Sequence, residues 1–493
     1  VIKMTLREAA QIVGGTLTAA ADPDAVISGP VEFDSRKVAP GGLFLALPGE
    51  RVDGADFVPA ALEAGAVAAL TAREVDAPAI VVPRPAPGEL AETNAMALAA
   101  DTDGSGAAVL AALGKLARAN VDRLRERHGL TVVGVTGSAG KTSTKDLIAA
   151  VLEPAGSVVA PPGSFNNEIG HPYTALRADE STDFLVLEMS ARAPGNIAAL
   201  AESAPPQIGV VLNVGTAHLG EFGSREAIAQ TKGELVEALE PTGLAVLNAD
   251  DDQVAAMAPR TRARTVFVGQ SAKADLRAEG VTTDEEARAS FTLRRGDESA
   301  EVTLAVFGEH QVGNALSAAA VALECGQSLE EVAASLGGAT ARSARRMDVR
   351  ARPDGVTVIN DSYNANPDSV KAALRSLAVM ARGQNPPRRT WAVLGEMGEL
   401  GDESVAEHDL VGRYLVRLNI SQLIVVGHGR PQRALFQGAI QEGSWGSEAE
   451  HVASTEEALG ILDDRLAPGD IVLVKASQAV GLWTVAERLL EEK

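Results

Sequence analysis

Cysteine is almost absent: Cys325 is the only one in 493 residues. A single thiol excludes an intrachain disulfide and any cysteine-based zinc or iron–sulfur site, and it points to a reducing compartment. Aromatic residues are scarce at 3%, so Ala, Val, Leu and Gly must build the cores, which suits sheets covered by helices. Basic charge is also short, with 44 Lys and Arg against 66 Asp and Glu and a net charge of −22. That excludes a general nucleic-acid binder, which needs a basic face to displace counterions. An anionic ligand remains open, because a phosphate site needs only local N–H groups and one or two cations. No run approaches the roughly 18–20 apolar residues of a membrane span, and Val1-Ile2-Lys3-Met4-Thr5 lacks a signal-peptide core. A cytoplasmic protein without a membrane span is expected.

What is present is ample apolar material, 46% against 22% charged, and a length that predicts about three domains at roughly 100–200 residues each. The punctuated stretches Val82-Pro83-Arg84-Pro85-Ala86-Pro87-Gly88 and Asp101-Thr102-Asp103-Gly104-Ser105-Gly106 read as loops. A second boundary falls near Ala341-Arg342-Ser343-Ala344-Arg345-Arg346. The units expected are 1–107, 108–343 and 344–493. In the second, a helical pattern over Ala108 to Arg127 precedes apolar strands at Thr131 to Val135, Phe184 to Leu187, Ile208 to Leu212 and Leu244 to Leu247. Such alternation predicts an α/β fold with a mostly parallel sheet. The stretch from about Asp275 to Leu304 reads as a small antiparallel insertion. In the third unit strands are expected at Val356 to Ile359, Trp391 to Leu394, Leu423 to Val426 and Ile471 to Val474.

The sharpest local signal is Gly137-Ser138-Ala139-Gly140-Lys141-Thr142, between a predicted strand and the helical run Thr144 to Leu152. Glycines let the backbone curl so that N–H groups converge on phosphates at the positive end of a helix. Lys141 supplies a cation for the β- and γ-phosphates and Thr142 a hydroxyl for Mg²⁺. Two residues separate the glycines where the common pattern has four, so this is a shortened phosphate loop. A metal partner belongs at the end of a neighbouring strand. Glu188 occupies such a position, although an isolated strand-end Glu is usually only a solvated residue. His218, in Asn213-Val214-Gly215-Thr216-Ala217-His218, is expected at the same sheet edge, as a structural residue or a ligand. Lys232, on a helix predicted to start near Ser224, reads by itself as a surface lysine.

At this point the chain resembles the ATP-dependent Mur ligases of peptidoglycan synthesis. The blocks that carry the resemblance run nearly the whole length. They are Asp34-Ser35-Arg36 with Gly42-Leu43-Phe44; Thr136 to Thr142; Ser164-Phe165-Asn166-Asn167-Glu168-Ile169-Gly170; and Glu188-Met189. Further on come Ala217-His218-Leu219 through Lys232-Gly233-Glu234; Asn248-Ala249-Asp250; Gly308 to Asn314; and Asp361-Ser362-Tyr363-Asn364-Ala365-Asn366-Pro367. The Asn-Ala-Asn-Pro sequence resembles the branch that adds D-alanyl-D-alanine, where relatives adding earlier residues typically carry a His.

The resemblance implies a three-domain architecture: an N-terminal domain for the UDP end of the substrate, a central ATP-binding domain with a phosphate-loop sheet, and a C-terminal Rossmann-like domain. The implied reaction joins UDP-N-acetylmuramoyl-tripeptide to D-alanyl-D-alanine through an acyl phosphate. ATP and two Mg²⁺ ions are the implied cofactors. One ion would lie between Thr142, Glu188 and the phosphates; the other would be held by Glu188, His218 and a carbamate on Lys232. Asn314 is implied on the adenine side, and Arg346 and Asp361 at the phosphates and ribose. Ser35 and Arg36 are implied at the uridine nucleotide, and Asn166 and Asn167 at the peptide. Tyr363, Asn364 and Asn366 would complete the closed site. A monomer is expected. Lys475-Ala476-Ser477-Gln478 departs from a more usual Lys-Gly-Ser-Arg, and no role is assigned to it. A folylpolyglutamate-synthase-like ligase and a nucleotide-driven switch are the alternatives, which a dependence of phosphate release on both cosubstrates would separate.

Overall fold

Thr131–Thr136 alternates Val with Gly and Thr, residues that fit a strand covered on both faces, and it lies inside a nine-stranded sheet. The structure is a computed structural model and describes residues 2–49, 52–85, 101–161, 163–215, 219–443 and 447–491. From one edge the sheet runs Val158–Val159, Phe184–Glu188, Thr131–Thr136, Ile208–Val211, Leu244–Asn248, Arg264–Gly269 and Leu276–Thr283, all parallel. Arg288–Arg295 and Glu298–Phe307 then extend it antiparallel. The antiparallel strands expected here are present, but they are not a separate insertion. Those strands continue the central sheet, because Leu276 and Arg277 pair with Val268 and Gly269.

Register places the site. Glu188 pairs with Val135, and Val211 pairs with Thr136. Three strands thus end level, and the loops that follow them meet at one carboxyl edge. Helix Lys141–Leu152 buries Leu147, Ile148 and Val151 against one face, together with Leu316 and Val321 of helix Gln311–Glu324. Ile197, Leu235 and Val236 cover the other face. Each such fully buried aliphatic side chain contributes about 1.5–3 kcal/mol.

A five-stranded sheet precedes this one, in the spatial order Thr16–Leu17, Ala79–Val81, Ala68–Thr71, Leu43–Leu45, Val31–Glu32. It shares a continuous core with helix Ser105–His128 and with Val132 and Leu185 of the central sheet. The boundary expected between 107 and 108 falls within the first turn of that helix. Ser105 and Gly106, read as loop, are helical because Asp103 accepts from Ser105 N at 3.0 Å and Asp101 from Ala107 N at 2.8 Å. The expected loop through Ala86-Pro87-Gly88 lies outside the described residues.

The C-terminal sheet has six strands: Asp348–Ala351, Thr357–Asn360, Ile471–Lys475, Thr390–Leu394, Gln422–Val426 and Ala449–Val452. Only the first pairing is antiparallel. Helices cover both of its faces. Among the described residues no helix is long and apolar enough to cross a membrane.

Candidate functional site

The phosphate loop links Thr136 to a helix that begins at Lys141, three residues earlier than the pattern predicts. Gly140 explains the early start. Its φ of +84° is left-handed, and a Cβ there would lie 2.7 Å from Asn314 Oδ1, so glycine is required on both counts. The loop is braced from the next strand end: Ala139 N donates to Asn213 Oδ1 at 2.9 Å, and Gly215 N to Ser138 Oγ at 2.9 Å. Lys141 Nζ donates to Gly137 O at 2.7 Å. Burial pushes the Lys141 ammonium below its ordinary value, aided by Arg346 and opposed by Glu188 and Glu399.

Glu188 is not solvated. It is 1% exposed and accepts from Thr142 Oγ1 at 2.9 Å, Ser164 Oγ at 2.8 Å and Asn166 Nδ2 at 2.9 Å. Asn166 is held in turn by Ser190, whose hydroxyl donates to its Oδ1 at 3.1 Å. Ser164, Ser190 and Asn213 are site residues that sequence reasoning missed. Small polar residues in loops carry no signal until the fold brings them to a carboxylate. Asn167 lines the cleft, but its side-chain oxygen caps helix Gly170–Ala175 by accepting from Gly170 N at 3.0 Å.

Lys232 is the last residue of helix Arg225–Lys232, whose cap is Ser224, as expected. It is buried, at 4% exposure, which removes the surface reading. Burial pushes its ammonium well below the ordinary lysine value, and the Lys141 charge pushes the same way. His218 lies outside the described residues.

The C-terminal unit closes over the loop. Arg346 donates to Thr142 Oγ1 at 3.1 Å, and its guanidinium lies over the Tyr363 ring, 4.2 Å from the centroid. Asn366 caps helix Pro367–Arg382 by accepting from Ser369 N at 2.9 Å. Asp368, in the first turn, reaches Gly215 with its carboxylate, so that a side chain at 215 would have to displace it. Asn364 accepts from Ala365 N at 2.9 Å. Asp361 does not face the cleft. Its carboxylate pairs with buried Lys475 at 2.7 Å and accepts from Met347 N at 3.1 Å. Lys475 also donates to Asn364 O at 2.8 Å, which gives the Lys-Ala-Ser-Gln segment a structural role: it holds the loop that carries Asn364.

Between the units is a cleft of about 710 Å³ lined by Lys141, Thr142, Glu188, Asn166, Arg346 and Asn364, among others. The first turns of helices Lys141–Leu152 and Pro367–Arg382 both contribute to its wall. Two positive helix ends, an ammonium and a guanidinium share this wall with the Glu188 and Glu399 carboxylates, an arrangement that can take an anion with a cation beside it. A smaller cavity of about 290 Å³ lies beside the same helix, lined by Leu147, Val306, Phe307, Gln311, Met347 and Arg346. Of all these residues, only Arg346 lines both. Asn314 lines neither; it donates to Gln311 Oε1 at 2.8 Å and thereby orients a residue that does.

Ser35 and Arg36 stand apart from both cavities. They begin a 3₁₀ turn in which the exposed Arg36 side chain donates to both Asp34 carboxylate oxygens, at 2.8 Å and 2.9 Å. Those bonds hold the Asp34 carboxyl down at about 2. Phe33 connects this turn to the central unit through Tyr173, which stacks on Phe165 and donates to Glu32 at 3.0 Å.

Comparison with known proteins assigns the class. The Mur ligase middle domain matches residues 135–322, the Mur ligase glutamate ligase domain 345–478, and the Mur ligase family catalytic domain 30–118. The chain belongs to the Mur ligase family. It is similar to the UDP-N-acetylmuramoyl-tripeptide–D-alanyl-D-alanine ligase of Mycobacterium tuberculosis H37Rv, with 57% identity covering 100% of this chain and 98% of that protein. The crystal structure of MurF from Acinetobacter baumannii superposes with a TM-score of 0.83 at 28% identity, covering 99% of each chain. The structure of MurF ligase from Thermotoga maritima in complex with ADP matches with a TM-score of 0.76 at 29% identity, covering 94% of this chain and 98% of that one.

Proposed function

We propose that the chain is an ATP-dependent amide ligase that joins the amino group of D-alanyl-D-alanine to the terminal carboxylate of UDP-N-acetylmuramoyl-tripeptide, the last amino-acid addition to the cytoplasmic peptidoglycan precursor. The observation that carries this reading is the full-length similarity to the ligase of that name, joined to a cleft that can take an anion with a cation beside it.

A carboxylate resists attack by an amine because it is anionic and would have to expel oxide. Transfer of the γ-phosphoryl group to one of its oxygens forms a P–O bond and releases ADP. The amine nitrogen then attacks the acyl carbon, an N–C bond forms, and inorganic phosphate departs with the former carboxylate oxygen. The amine's surplus proton leaves to solvent. Little covalent work falls to the protein, whose task is alignment and neutralisation of charge. Lys141 and Arg346 bring two cations to the transferring group. The two helix N-termini add fixed N–H dipoles. Tyr363, beneath the Arg346 guanidinium, keeps that group in the plane it needs. The mixed lining of the smaller cavity, Leu147, Val306, Phe307 and Met347 with Asp146 and Gln311, suits the nucleoside base, with Arg346 reaching both ends.

The donor set fits Mg²⁺: a desolvated carboxylate and a hydroxyl, both hard oxygen ligands, at the phosphate end of the cleft. Thr142 and Glu188 would hold one ion. Glu188, His218 and a carbamate on Lys232 would hold a second, and the metal supplies further neutralisation of phosphate charge. Burial favours the neutral amine of Lys232 over its ammonium, and the neutral amine is the form that adds to CO₂, which turns an obstructive cation into an anionic ligand. The units 1–107, 108–343 and 344–493 would carry UDP-substrate, ATP and ligase functions, with Ser35 and Arg36 at the uridine nucleotide and Asn166, Asn167, Asn364 and Asn366 along the peptide. A cytoplasmic monomer completes the reading.

The test is phosphate release from Mg-ATP by the purified chain. Release that requires the tripeptide nucleotide and D-alanyl-D-alanine together supports the ligase. Release independent of either would replace it with a nucleotide switch. Oxygen-18 in the donor carboxyl should appear in the phosphate.

A further inference from the structure

The segment between the central and C-terminal sheets is laced along the phosphate-loop helix. Arg346 donates to Thr142 Oγ1 at 3.1 Å, Ser343 N to Asp146 Oδ2 at 3.0 Å, and Arg342 Nη2 to Glu153 Oε2 at 2.7 Å. Thr142, Asp146 and Glu153 recur at helical spacing on one stripe, so the segment runs antiparallel to the helix and touches it at three successive levels. The middle level is the buried one. Asp146 is 7% exposed and Lys145 is 1% exposed. Their side chains meet at 2.6 Å, and Lys145 also donates to Pro161 O at 2.6 Å, with Ser343 Oγ at 3.4 Å. Pro161 precedes Ser164 and Asn166, the two residues that with Thr142 engage Glu188.

One buried ion pair therefore joins three parts: the phosphate-loop helix, the loop that holds Glu188, and the hinge that delivers Arg346. Neither member lines the large cleft, and only Asp146 reaches the wall of the smaller cavity. Full desolvation makes such a pair a poor source of stability, since a well-packed apolar pair would hold the helix as firmly. What an apolar pair would lack is an acceptor for Ser343 N and a donor for Pro161 O.

We propose that Lys145 and Asp146 are positioning residues, which act through the hinge to set the Arg346 guanidinium against the phosphate loop and so couple nucleotide binding to closure of the C-terminal unit. The proposal rests on the ATP-dependent reading above. It makes Asp146 and Arg346 one functional unit although their side chains do not need to touch.

A double-mutant cycle on the Kd of a non-hydrolysable ATP analogue, measured calorimetrically on the full chain with Mg²⁺, tests it. Asp146→Ala and Arg346→Ala should each weaken binding about tenfold or more, as expected for a lost hydrogen bond to a charged group. The double variant should be no weaker than the poorer single one. Asp146→Asn keeps an acceptor for Ser343 N and should restore most of the affinity. Losses that multiply, an Asn variant as poor as the Ala variant, or singles with unchanged affinity would each overturn the proposal. Should Asp146→Ala not fold, Ser343→Pro removes the same N–H donor from outside the helix and closes the same cycle. Phosphate release by the unmodified chain is measured in parallel. Its absence would defeat the ligase reading while leaving the cycle to decide the coupling.

Discussion

Arg192 of the central unit and Glu399 of the C-terminal unit form an ion pair at 2.7 Å, and Glu399 also lines the cleft that holds Lys141. Glu221 stands 3.7 Å from the same guanidinium, and Gly220 N donates to Glu399 O at 3.3 Å. Charges from two units thus meet at the rim of the site.

Arg192→Ala should therefore act on closure more than on stability. Its side chain is about one-third exposed, and such pairs contribute roughly 0–1 kcal/mol. Tm is expected to stay within a few degrees of the parent. KM for the cosubstrates should rise several-fold, and X-ray scattering with all ligands present should report a larger radius of gyration. A variant with unchanged KM and unchanged scattering would remove this pair from the closing mechanism.

Lys141→Ala removes the loop cation without opening the core, since the ammonium's only hydrogen bond among the described residues is to Gly137 O. Phosphate release should fall by about a thousandfold or more, on the scale of losing a preorganised charge at a transition state. The circular-dichroism spectrum should not change. A near-normal rate would mean that the loop binds something other than the transferring phosphate.

Lys232 should show its environment in pH profiles. Its ammonium is held well below 10.5 by burial first and by Lys141 second. The unfolded chain therefore binds the extra proton, and stability attributable to this group grows as pH rises towards its ordinary value. Activity should follow the same sign and fall on acidification as the amine protonates. Lys232→Ala should be inactive, and short-chain carboxylates should partly restore it by standing in for a carbamate. Carbon-13 bicarbonate should give a carbamate resonance in the parent that is missing from the variant.

His171 supplies a stability test away from the chemistry. Burial holds its imidazole down to about 4 against an ordinary 6.5. Its Nδ1 lies 3.4 Å from Glu188 O, and its surroundings are otherwise mainly desolvating. Between pH 6.5 and about 4 the unfolded state takes up a proton that the folded state refuses, so stability falls with pH across that window. The full effect is of the order of 3 kcal/mol. His171→Leu should flatten the dependence of Tm on pH there, and an unchanged slope would show that other groups govern it.

Legibility in the sequence followed the range of the physics. The central strands at 131, 184, 208 and 244 were readable because a doubly covered parallel strand must be apolar along its length. The phosphate loop was readable because its glycines, cation and hydroxyl are adjacent in the chain. Ala449–Val452 was not, since Glu450 and His451 interrupt the strand, and Arg264–Gly269 was not, since its apolar run is only Val266-Phe267-Val268. The antiparallel strands after Leu276 carried a clear period of two, but nothing in that period says which sheet they join.

Roles divided in the same way. Glu188 and Lys232 were ambiguous as single residues. Burial resolved that ambiguity, because burial depends on every element around a side chain. Asn366 is a helix cap at the cleft rim, and Asp361 turns to Lys475 rather than to the cleft. That pairing joins residues 114 positions apart, and no local pattern encodes it.

By itself, then, the order of residues determined the local geometry: where backbone N–H groups converge and which strands are covered on both faces. Only the tertiary structure decided which carboxylate loses its water, which lysine is left with a depressed proton affinity, and which arginine reaches the phosphate loop from another unit. Short-range sterics act between neighbours in the chain, whereas desolvation and electrostatic pairing act between neighbours in space.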